Sequence, residues 1–407
     1  MNWSISKRNR IRNVLLAVLP GIIVAGFWGF ANPTPKTIID PLLPGKMIVD
    51  TTLPTKAIAT GESIFASPED WLTGWSYRKL ITIDEAKVDN DLINFPVLVY
   101  LDSTTNFDFS EASSTGADIR FTDSGGITTL SYEREDHNAT SANYWVKVPS
   151  VSSTASTTIY MYYGNSVASD TASSTAVWDS NFKGVWHMTD GASASITYDS
   201  TSNDNDATKK AANEPIEEAG KIGNSQLFDG TDDYGKITNV VIADPEKLTI
   251  SGWIKHGTGG STYETAFHQG TSYTIGSSSY WFGVCVSDYL TATIGANVSG
   301  IGWDKGKTAI KATLDRWYFI AAVWDGSVVK VYIDGDYADK QYDLTSYNNG
   351  TTPTRFGSSI DTTGNYKFGG SIDEVRISIA DKSAAWIKAD YNSGNNSLLT
   401  YGNKEEL

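Results

Sequence analysis

The stretch that decides the fold is Trp-Tyr-Phe-Ile-Ala-Ala-Val-Trp-Asp-Gly-Ser-Val-Val-Lys-Val-Tyr-Ile-Asp-Gly, residues 317–335. Its first eight residues are apolar on both faces, as expected of a central strand that is buried on both sides. Asp325-Gly326 and Asp334-Gly335 then provide two consecutive turns, because Asp-Gly pairs adopt the left-handed conformation that tight hairpins require. The stretch therefore predicts adjacent antiparallel strands of a β-sandwich.

The composition of the whole chain agrees with an all-β protein. The 407 residues are 40% hydrophobic, 12% aromatic and 19% charged, which is typical of globular domains rather than of disordered chains. This length predicts two or three domains. The single cysteine, Cys285, excludes an intramolecular disulfide, and its apolar neighbours predict a buried strand position.

The charge of the chain argues against nucleic acid as a partner. The formal net charge is −15, and the only basic cluster near a terminus consists of Lys7, Arg8, Arg10 and Arg12. Phosphate binding requires the opposite sign.

The N-terminal region predicts export. After the basic cluster, residues 14–31 form an uncharged run about as long as a bilayer core is thick. Residues 1–31 are therefore interpreted as a signal peptide or as an uncleaved membrane anchor, and both alternatives stay open. Residues 32–70 are rich in proline and predict an extended stalk or linker. The expected location is extracellular or on the cell surface.

Residues 71–166 predict a small β-sandwich, since apolar residues alternate with polar ones between turns rich in Gly, Asp and Ser. This region resembles an uncharacterised domain of unknown function that recurs before LamG-like modules in prokaryotic surface proteins, and the resemblance covers residues 75–165. The resemblance implies no activity. It rests on the motifs Trp-Ser-Tyr-Arg-Lys-Leu-Ile-Thr-Ile (75–83), Asn-Phe-Pro-Val-Leu-Val (94–99), Ala-Asp-Ile-Arg-Phe-Thr-Asp (117–123), Tyr-Trp-Val-Lys-Val-Pro (144–149) and Ile-Tyr-Met-Tyr-Tyr-Gly-Asn (159–165).

Residues 177–380 predict a second, larger β domain. This region resembles the concanavalin A-like, LamG-like jelly roll, and the resemblance covers residues 178–377. Besides the opening stretch, it rests on Gly-Val-Trp-His-Met (184–188), Tyr-Asp-Ser-Thr (198–201), Gly-Lys-Ile-Gly-Asn-Ser-Gln-Leu-Phe-Asp-Gly (220–230), Leu-Thr-Ile-Ser-Gly-Trp-Ile (248–254) and Gly-Ser-Ile-Asp-Glu-Val-Arg-Ile (370–377).

The last segment, residues 381–407, predicts a short C-terminal helix and a tail. The helix is expected over residues 382–391, with Asp381 or Ser383 as N-cap and Gly394 past its end. The predicted fold is thus all-β: a small β-sandwich, then a LamG-like jelly roll, with an N-terminal hydrophobic helix and a short C-terminal one.

Calcium is the one metal that the resemblance implies. LamG-like domains often hold one Ca²⁺, and the motif positions would make Asp199 and Asp373 its side-chain ligands. The alternative is that both aspartates cap turns by accepting hydrogen bonds from backbone N–H groups. Asp229, Asp232 and Asp233 lie in a stretch that is expected to build a hairpin.

The sequence carries no recognisable catalytic motif. Glycosidases of this fold place carboxylates alternately along one strand, and the nearest pattern here is Glu133, Glu135 and Asp136, interpreted as a solvated strand end. Asp373 and Glu374 are adjacent, so an unbroken strand would point them to opposite faces. The four histidines are too scattered for a zinc motif; they are His137, His187, His256 and His268.

The function predicted from these observations is non-catalytic recognition or adhesion, with a glycan or a cell-surface protein as partner and a structural calcium ion. Exposed aromatic residues could stack on sugars, and candidates lie in residues 272–281 and 303–305. Trp186, Trp253, Trp317 and Trp324 are assigned to the core. The first alternative is a self-associating structural subunit of a surface layer, filament or appendage, and the second is a glycan-active enzyme. Residues 1–31 would add a membrane contact if uncleaved.

Overall fold

The computed structural model describes residues 70–407, except 192, 213, 240, 243–244, 261, 270–278, 297–304, 348–352 and 360–365. The predicted export segment and stalk therefore lie outside the described residues. Within the described part, no helix has the length and apolar character needed to cross a bilayer. Residues 72–407 form one compact unit that contains both predicted β domains.

The first sandwich pairs a four-stranded sheet, in the order β23-β1-β6-β3, with a three-stranded sheet, in the order β2-β5-β4. Its core contains the alternating apolar residues of both sheets, such as Ile81, Val97, Phe121 and Val146. The period-two pattern thus gives the predicted sandwich. The strands are β1 (Tyr77–Ile83), β2 (Leu92–Leu101), β3 (Arg120–Thr122), β4 (Tyr132–His137), β5 (Ala142–Val151), β6 (Thr157–Tyr163) and, from the end of the chain, β23 (Leu399–Glu406).

The second domain is a jelly roll of two eight-stranded sheets. One has the order β10-β11-β22-β13-β18-β19-β20, with β7 also paired to β22, and the other has the order β17-β16-β15-β14-β21-β12-β9-β8. We call these the junction sheet and the outer sheet. The strands are β7 (Phe182–Trp186), β8 (Ile196–Thr197), β9 (Ala207–Lys209), β10 (Ile216–Ala219), β11 (Asn224–Asp229), β12 (Gly235–Ile237), β13 (Leu248–His256), β14 (Glu264–Gln269), β15 (Ser279–Cys285), β16 (Tyr289–Ala296), β17 (Lys307–Lys311), β18 (Trp317–Trp324), β19 (Val328–Ile333), β20 (Asp336–Asp343), β21 (Thr354–Phe356) and β22 (Gly369–Ser378).

The opening stretch forms the predicted hairpins. Strand β18 pairs with β19, and β19 pairs with β20. Gly326, Asp334 and Gly335 all have positive φ, at 96°, 52° and 83°, which is the backbone conformation for which Asp-Gly turns are selected. These turns fix the register, so the apolar residues of β18 meet the core on the intended face.

The four tryptophans assigned to the core divide into three environments. Trp186 and Trp324 lie in the main core between the two sheets of the jelly roll. Trp253 is also buried, but it lies on the opposite face of the junction sheet, with Phe319 and Ile387. Trp317 is only half-buried, and the Lys255 ammonium lies 5.2 Å from the centre of its ring. The core assignment of Trp317 therefore holds only in part, since the ring is half-buried against the cluster that contains Trp253 and Phe319.

Two α-helices occur among the described residues, α1 (Ser174–Val177) and α2 (Ala384–Gly394). Helix α2 is the predicted C-terminal helix, and Ser383 is its N-cap, since its hydroxyl accepts a hydrogen bond from the Trp386 N–H. Gly394 is the last helical residue, where the sequence predicted a position past the end. Trp386 packs edge-on against Phe95 of the first sandwich, and Tyr391 stacks on Trp253 of the jelly roll. Helix α2 therefore contacts both sandwiches.

The segment after α2, predicted only as a tail, forms strand β23 and returns to the first sandwich. It pairs antiparallel with β1 along the length of both strands, from Tyr77↔Glu406 to Ile83↔Leu399. Arg78 Nε donates to Glu405 Oε2 over 2.7 Å, and the Tyr401 hydroxyl donates to the Tyr100 carbonyl. The end of the chain thus completes the sheet that residues near 77 begin.

Candidate functional site at the junction of the two sandwiches

Charged side chains are buried where the first sandwich meets the junction sheet. Strand β4 contributes two glutamates, β7 ends just before a histidine, β22 contributes a glutamate and an arginine, and α2 contributes an aspartate. Apolar side chains from both domains surround them, including Leu98, Trp145, Trp178 and Phe182. We call this set the junction cluster; its members are Glu133, Glu135, His187, Glu374, Arg376 and Asp390.

His187 lies at the centre of the junction cluster. Its Nδ1 is 2.6 Å from Glu374 Oε1 and 3.7 Å from Glu135 Oε2, while its Nε2 is 3.2 Å from Glu133 Oε2. The ring also stacks on the Trp145 indole at a centroid distance of 5.7 Å. Carboxylates from both domains therefore surround both nitrogens of one buried imidazole.

The two glutamates of β4 are held by donors on either side. The indole N–H of Trp178 donates to Glu133 over 2.6 Å, and that of Trp145 donates to Glu135 over 2.9 Å. The remaining oxygens accept hydrogen bonds from the hydroxyls of Ser200 and Thr189, which belong to the jelly roll. The prediction of a solvated strand end is therefore wrong for Glu133 and Glu135, because the second domain covers this part of β4.

Arg376 provides the permanent positive charge of the junction cluster. It donates to Glu374 Oε2 over 2.6 Å and to Asp390 Oδ1 over 2.5 Å. Its guanidinium also lies 4.3 Å and 5.0 Å from the ring centres of Trp145 and Trp178, within the range of cation–π attraction. Arg376 thus links the junction sheet to helix α2 and to the aromatic residues of the interface.

A β-bulge in β22 places Glu374 in the junction cluster. The register against β13 shifts between Ser251 and Trp253, and Glu374 has a φ of +50°. The extra residue keeps Ile372 and Val375 in the main core and turns both Asp373 and Glu374 toward the other face. The expectation that these acids point to opposite faces is therefore wrong. Positive φ in a non-glycine residue costs free energy, which the contacts of Glu374 must offset.

Burial and neighbouring charges shift the protonation equilibria of the junction cluster. Burial and, second to it, the charge of the nearby Glu374 together raise the pKa of Glu135 to about 8. Burial alone would lower the pKa of His187, but Glu374 and Glu133 raise it well above its usual value. Burial likewise opposes ionisation of Glu374, yet His187 and Arg376 lower its pKa. The imidazolium form of His187 beside an ionised Glu374 is thus favoured.

The two predicted calcium ligands occupy separate surroundings. Both oxygens of Asp199 accept hydrogen bonds, from the N–H groups of Val185, Thr201 and Asn205 and from the Thr201 hydroxyl, at 2.8–3.0 Å. This is the turn-capping role that was the alternative to calcium. Among the described residues, Asp199 belongs to no group of three side chains placed to share a metal ion, and neither does Asp373. Calcium at these positions stays a prediction.

Asp373 lies beside the junction cluster and is completely buried. Its Oδ2 accepts hydrogen bonds from the backbone N–H groups of Lys221 and Ile222, at 2.8 and 2.9 Å. Its Oδ1 is buried without a hydrogen-bond partner. Burial raises the pKa of Asp373 well above its usual value, and Glu374 raises it further.

Two groups of side chains among the described residues have the spacing of metal ligands. One is Glu135, His187 and Glu374, and the other is Asp229, Asp232 and Asp233. In the second group the carboxylate of Asp229 accepts from the N–H groups of Thr231 and Asp232, so it builds the turn that the sequence predicted. Asp232 also pairs with Lys210. The first group is buried, and sequence reasoning missed it.

A second buried histidine–glutamate pair joins the two sheets of the jelly roll. His256 Nε2, on β13, lies 3.0 Å from Glu264 Oε1, on β14. The other oxygen of Glu264 accepts from the Gly369 N–H. The hydrogen bond between His256 and Glu264 raises the pKa of His256 against the lowering effect of burial. The pair resembles one half of the junction cluster but lacks its additional carboxylates.

The His256–Glu264 pair predicts a pH-dependent part of the stability. Because the pKa of His256 is raised in the folded state, its contribution is fully present below the unfolded pKa of about 6.5 and is lost as pH rises through the folded pKa. We expect His256→Gln to lower the free energy of unfolding by roughly 1–2 kcal/mol at pH 6 and by clearly less at pH 9. Urea unfolding at both pH values measures this difference, and an equal effect at both would contradict it.

Two family models match parts of the chain. Residues 229–388 match the family described as Concanavalin A-like lectin/glucanases superfamily, and residues 115–210 match Domain of unknown function (DUF2341). The two resemblances predicted from the sequence are therefore confirmed, and the all-β fold class agrees with them. No match was found among curated proteins.

Several solved structures resemble part of the chain. Domain 4 of AbnA, a GH43 extracellular arabinanase from Geobacillus stearothermophilus, in complex with arabinotriose, is 18% identical, with coverage of 52% of this chain and 98% of that one and a TM-score of 0.41. A native heptameric SAP-like pentraxin from Limulus polyphemus is 15% identical, with coverages of 40% and 78% and a TM-score of 0.31.

A third similar structure concerns the cell entry of botulinum neurotoxin type C, which depends upon interaction with two ganglioside molecules. It is 16% identical and has a TM-score of 0.37, and the match covers 53% of this chain and 51% of that one. The chain thus spans about half the length of that toxin structure. At these TM-scores, ligand and activity must be argued from the residues of this chain.

Proposed function

We propose that this chain is a non-catalytic extracellular recognition protein whose jelly roll binds a glycan. The observation that carries the proposal is the match of residues 229–388 to a superfamily of lectins and glucanases. Export is supported by the basic and apolar pattern of residues 1–31. The first sandwich supports the jelly roll by covering one face of its junction sheet.

We propose binding and not catalysis because the candidate catalytic carboxylates are buried and hydrogen-bonded. The nearest sequence pattern to a glycosidase set is Glu133, Glu135 and Asp136. The side chains of Glu133 and Glu135 are buried and engaged by indoles, hydroxyls and His187. A cavity beside Arg376 and Asp390 has a volume of about 10 Å³, which is room for one water molecule at most. A glycosidase needs two carboxyl groups that flank a bound sugar, and a cavity of this size is too small for a sugar.

The outer sheet offers a candidate recognition surface. Helix α2 and the first sandwich cover part of the outer face of the junction sheet. On the outer sheet, Tyr289 at the start of β16 is half-buried, and the ammonium groups of Lys307 and Lys311 lie 4.6 and 5.0 Å from the centre of its ring. An aromatic face flanked by cations suits a sugar that carries a carboxylate.

A glycan array probed with the full chain tests the proposal. We expect binding to acidic polysaccharides, with at least a tenfold loss of affinity in Tyr289→Ala, since about 1.4 kcal/mol corresponds to tenfold. Tyr337→Ala is the matched control, because Tyr337 is 43% exposed on the edge strand β20 of the junction sheet. Absence of binding to any glycan, with calcium present, would contradict the proposal.

The same array, repeated in the presence of a chelator, tests whether glycan binding depends on calcium. The proposal retains a structural calcium ion as the finer expectation, with Asp199 and Asp373 as its predicted ligands. If calcium supports recognition there, chelation should lower glycan binding and the thermal midpoint together. Unchanged binding and an unchanged midpoint would remove Asp199 and Asp373 as ligands and leave them as turn caps.

A further inference from the structure

The junction cluster contains more negative than positive groups. Together with the adjoining Asp373 it holds five carboxyl groups, against the two basic groups His187 and Arg376; Lys382 adds a third through its attraction to Asp390. All five carboxyl groups are buried, so water cannot screen them. Uncompensated buried charge is strongly unfavourable, so the excess carboxylates must be balanced either by protons or by a bound cation.

Three side chains converge on one point of the junction cluster. One ligand atom from each of Glu135, His187 and Glu374 lies within 4.8 Å of the other two. The separations from Nδ1 are 2.6 Å to Glu374 and 3.7 Å to Glu135. Ligand atoms about 2.0 Å from a tetrahedral zinc ion are a little over 3 Å apart, so the observed separations need only small adjustments.

The surroundings of His187 match those of a metal-bound histidine. Such a histidine binds the ion through one nitrogen and donates its other N–H to a carboxylate, which fixes the tautomer. Here Nε2 faces Glu133 at 3.2 Å, which leaves the lone pair of Nδ1 directed toward Glu135 and Glu374. The two glutamates are also oriented, by Trp145 and Thr189 on one side and by Arg376 on the other.

A buried carboxylate oxygen beside the junction cluster also lacks a donor. Asp373 Oδ1 is buried and has no hydrogen-bond partner, although the residue is completely shielded from solvent. A buried carboxylate oxygen without a donor is costly unless a positive charge lies nearby.

We propose that Glu135, His187 and Glu374 bind a divalent first-row transition metal, with zinc as the probe, which staples the first sandwich to the jelly roll. One imidazole and two carboxylates form a donor set that suits such ions. Glu135 comes from the first domain and the other two ligands come from the second, so the ion bridges the interface. Because the chain has one cysteine, no intramolecular disulfide can join the two domains.

The role of the ion is structural. It replaces the proton at His187 Nδ1 and balances the carboxylates of the junction cluster. The cavity beside Arg376 and Asp390 has a volume of about 10 Å³, which leaves no space for a substrate there. This inference is independent of glycan binding, which is assigned to the outer sheet.

The experiment uses the full chain, unfolded and refolded with either zinc chloride or a chelator, followed by dialysis. We expect one zinc per chain by atomic emission and a thermal midpoint at least about 5 °C above that of the chelator sample. His187→Gln should abolish both effects, but this variant risks misfolding. Glu135→Gln is therefore the decisive variant, because it keeps the shape and the hydrogen bond from Trp145 while removing one ligand charge.

The matched control is His256→Gln, which removes the buried histidine of the other His–Glu pair. It should retain one zinc per chain and the full midpoint shift, whereas Glu135→Gln should lose the stoichiometric zinc. Two results would overturn the proposal. In the first, the wild-type chain refolds without metal and Glu135→Gln is equally stable. That result would mean that protons balance the charges of the junction cluster. The other is equal zinc content in Glu135→Gln, which would mean adventitious binding.

Discussion

Removal of residues 399–407 is expected to unfold the first sandwich, although these residues are the last in the chain and the first sandwich begins near residue 77. Strand β23 supplies one edge of the four-stranded sheet and is hydrogen-bonded along β1. Its loss removes the backbone partners of β1 and uncovers Leu398 and Ile81, which are buried. We expect a loss of about 5 kcal/mol or more, comparable with the whole stability of a small domain.

Near-ultraviolet circular dichroism and thermal unfolding of the truncated chain measure this effect. The matched control is Glu406→Ala, which removes only an exposed pair with Lys404 on the same strand and should change stability by less than about 1 kcal/mol. A truncated chain that keeps the native spectrum and midpoint would contradict the role assigned to β23.

Arg376→Met is expected to lower the free energy of unfolding by about 3–5 kcal/mol. The substitution leaves Glu374 and Asp390 buried without their shared counter-ion, and it also removes the cation–π contacts to Trp145 and Trp178. Methionine has similar length, so the loss reports charge more than volume. Urea unfolding followed by tryptophan fluorescence measures the change, since two indoles lie against the guanidinium.

The matched control is Arg316→Met. Arg316 also pairs with an aspartate, Asp334, at 2.7 Å, but its side chain is 57% exposed, so the expected change is below about 1 kcal/mol. If the two arginine variants lose similar amounts of stability, the burial of the junction cluster would have no energetic consequence. That result would contradict the role of Arg376 as the buried counter-ion of Glu374 and Asp390.

The features that sequence reasoning recovered are local ones. The Asp-Gly turns around β19 specify two hairpins through backbone preferences of the turn residues themselves. Alternation in β1, β2 and β6 identifies the core face of each strand, because side chains of a strand alternate between its two faces. The N-cap of α2 likewise depends on Ser383 and its immediate neighbours.

The features that it missed depend on residues distant in sequence. Leu-Thr-Tyr-Gly-Asn-Lys-Glu-Glu, residues 399–406, has no clear period-two pattern, and only pairing with β1 about 320 residues earlier makes it a strand. Glu133 and Glu135 alternate with Arg134 as a solvated strand would, and their burial depends on a domain that covers them. The local charge pattern of a strand does not show whether another domain covers it.

The junction cluster was missed for a further reason, the bulge at Glu374. Regular alternation would separate Asp373 from Glu374, and nothing in Ser-Ile-Asp-Glu-Val-Arg-Ile, residues 371–377, marks the residue with φ of +50°. A signal was present, however, in the composition of the strand. Three charged residues in a strand that is buried along its whole length indicate partners elsewhere in the chain.

We expect the two sandwiches to unfold as one unit, because the junction cluster, helix α2 and strand β23 join them. Differential scanning calorimetry of the full chain tests it most directly, since independent domains unfold in separate transitions. We expect a single endotherm for the two sandwiches, with a calorimetric enthalpy equal to the van't Hoff enthalpy, and a shift of this whole endotherm in Arg376→Met. Two resolved transitions, of which Arg376→Met moves only one, would contradict the claim.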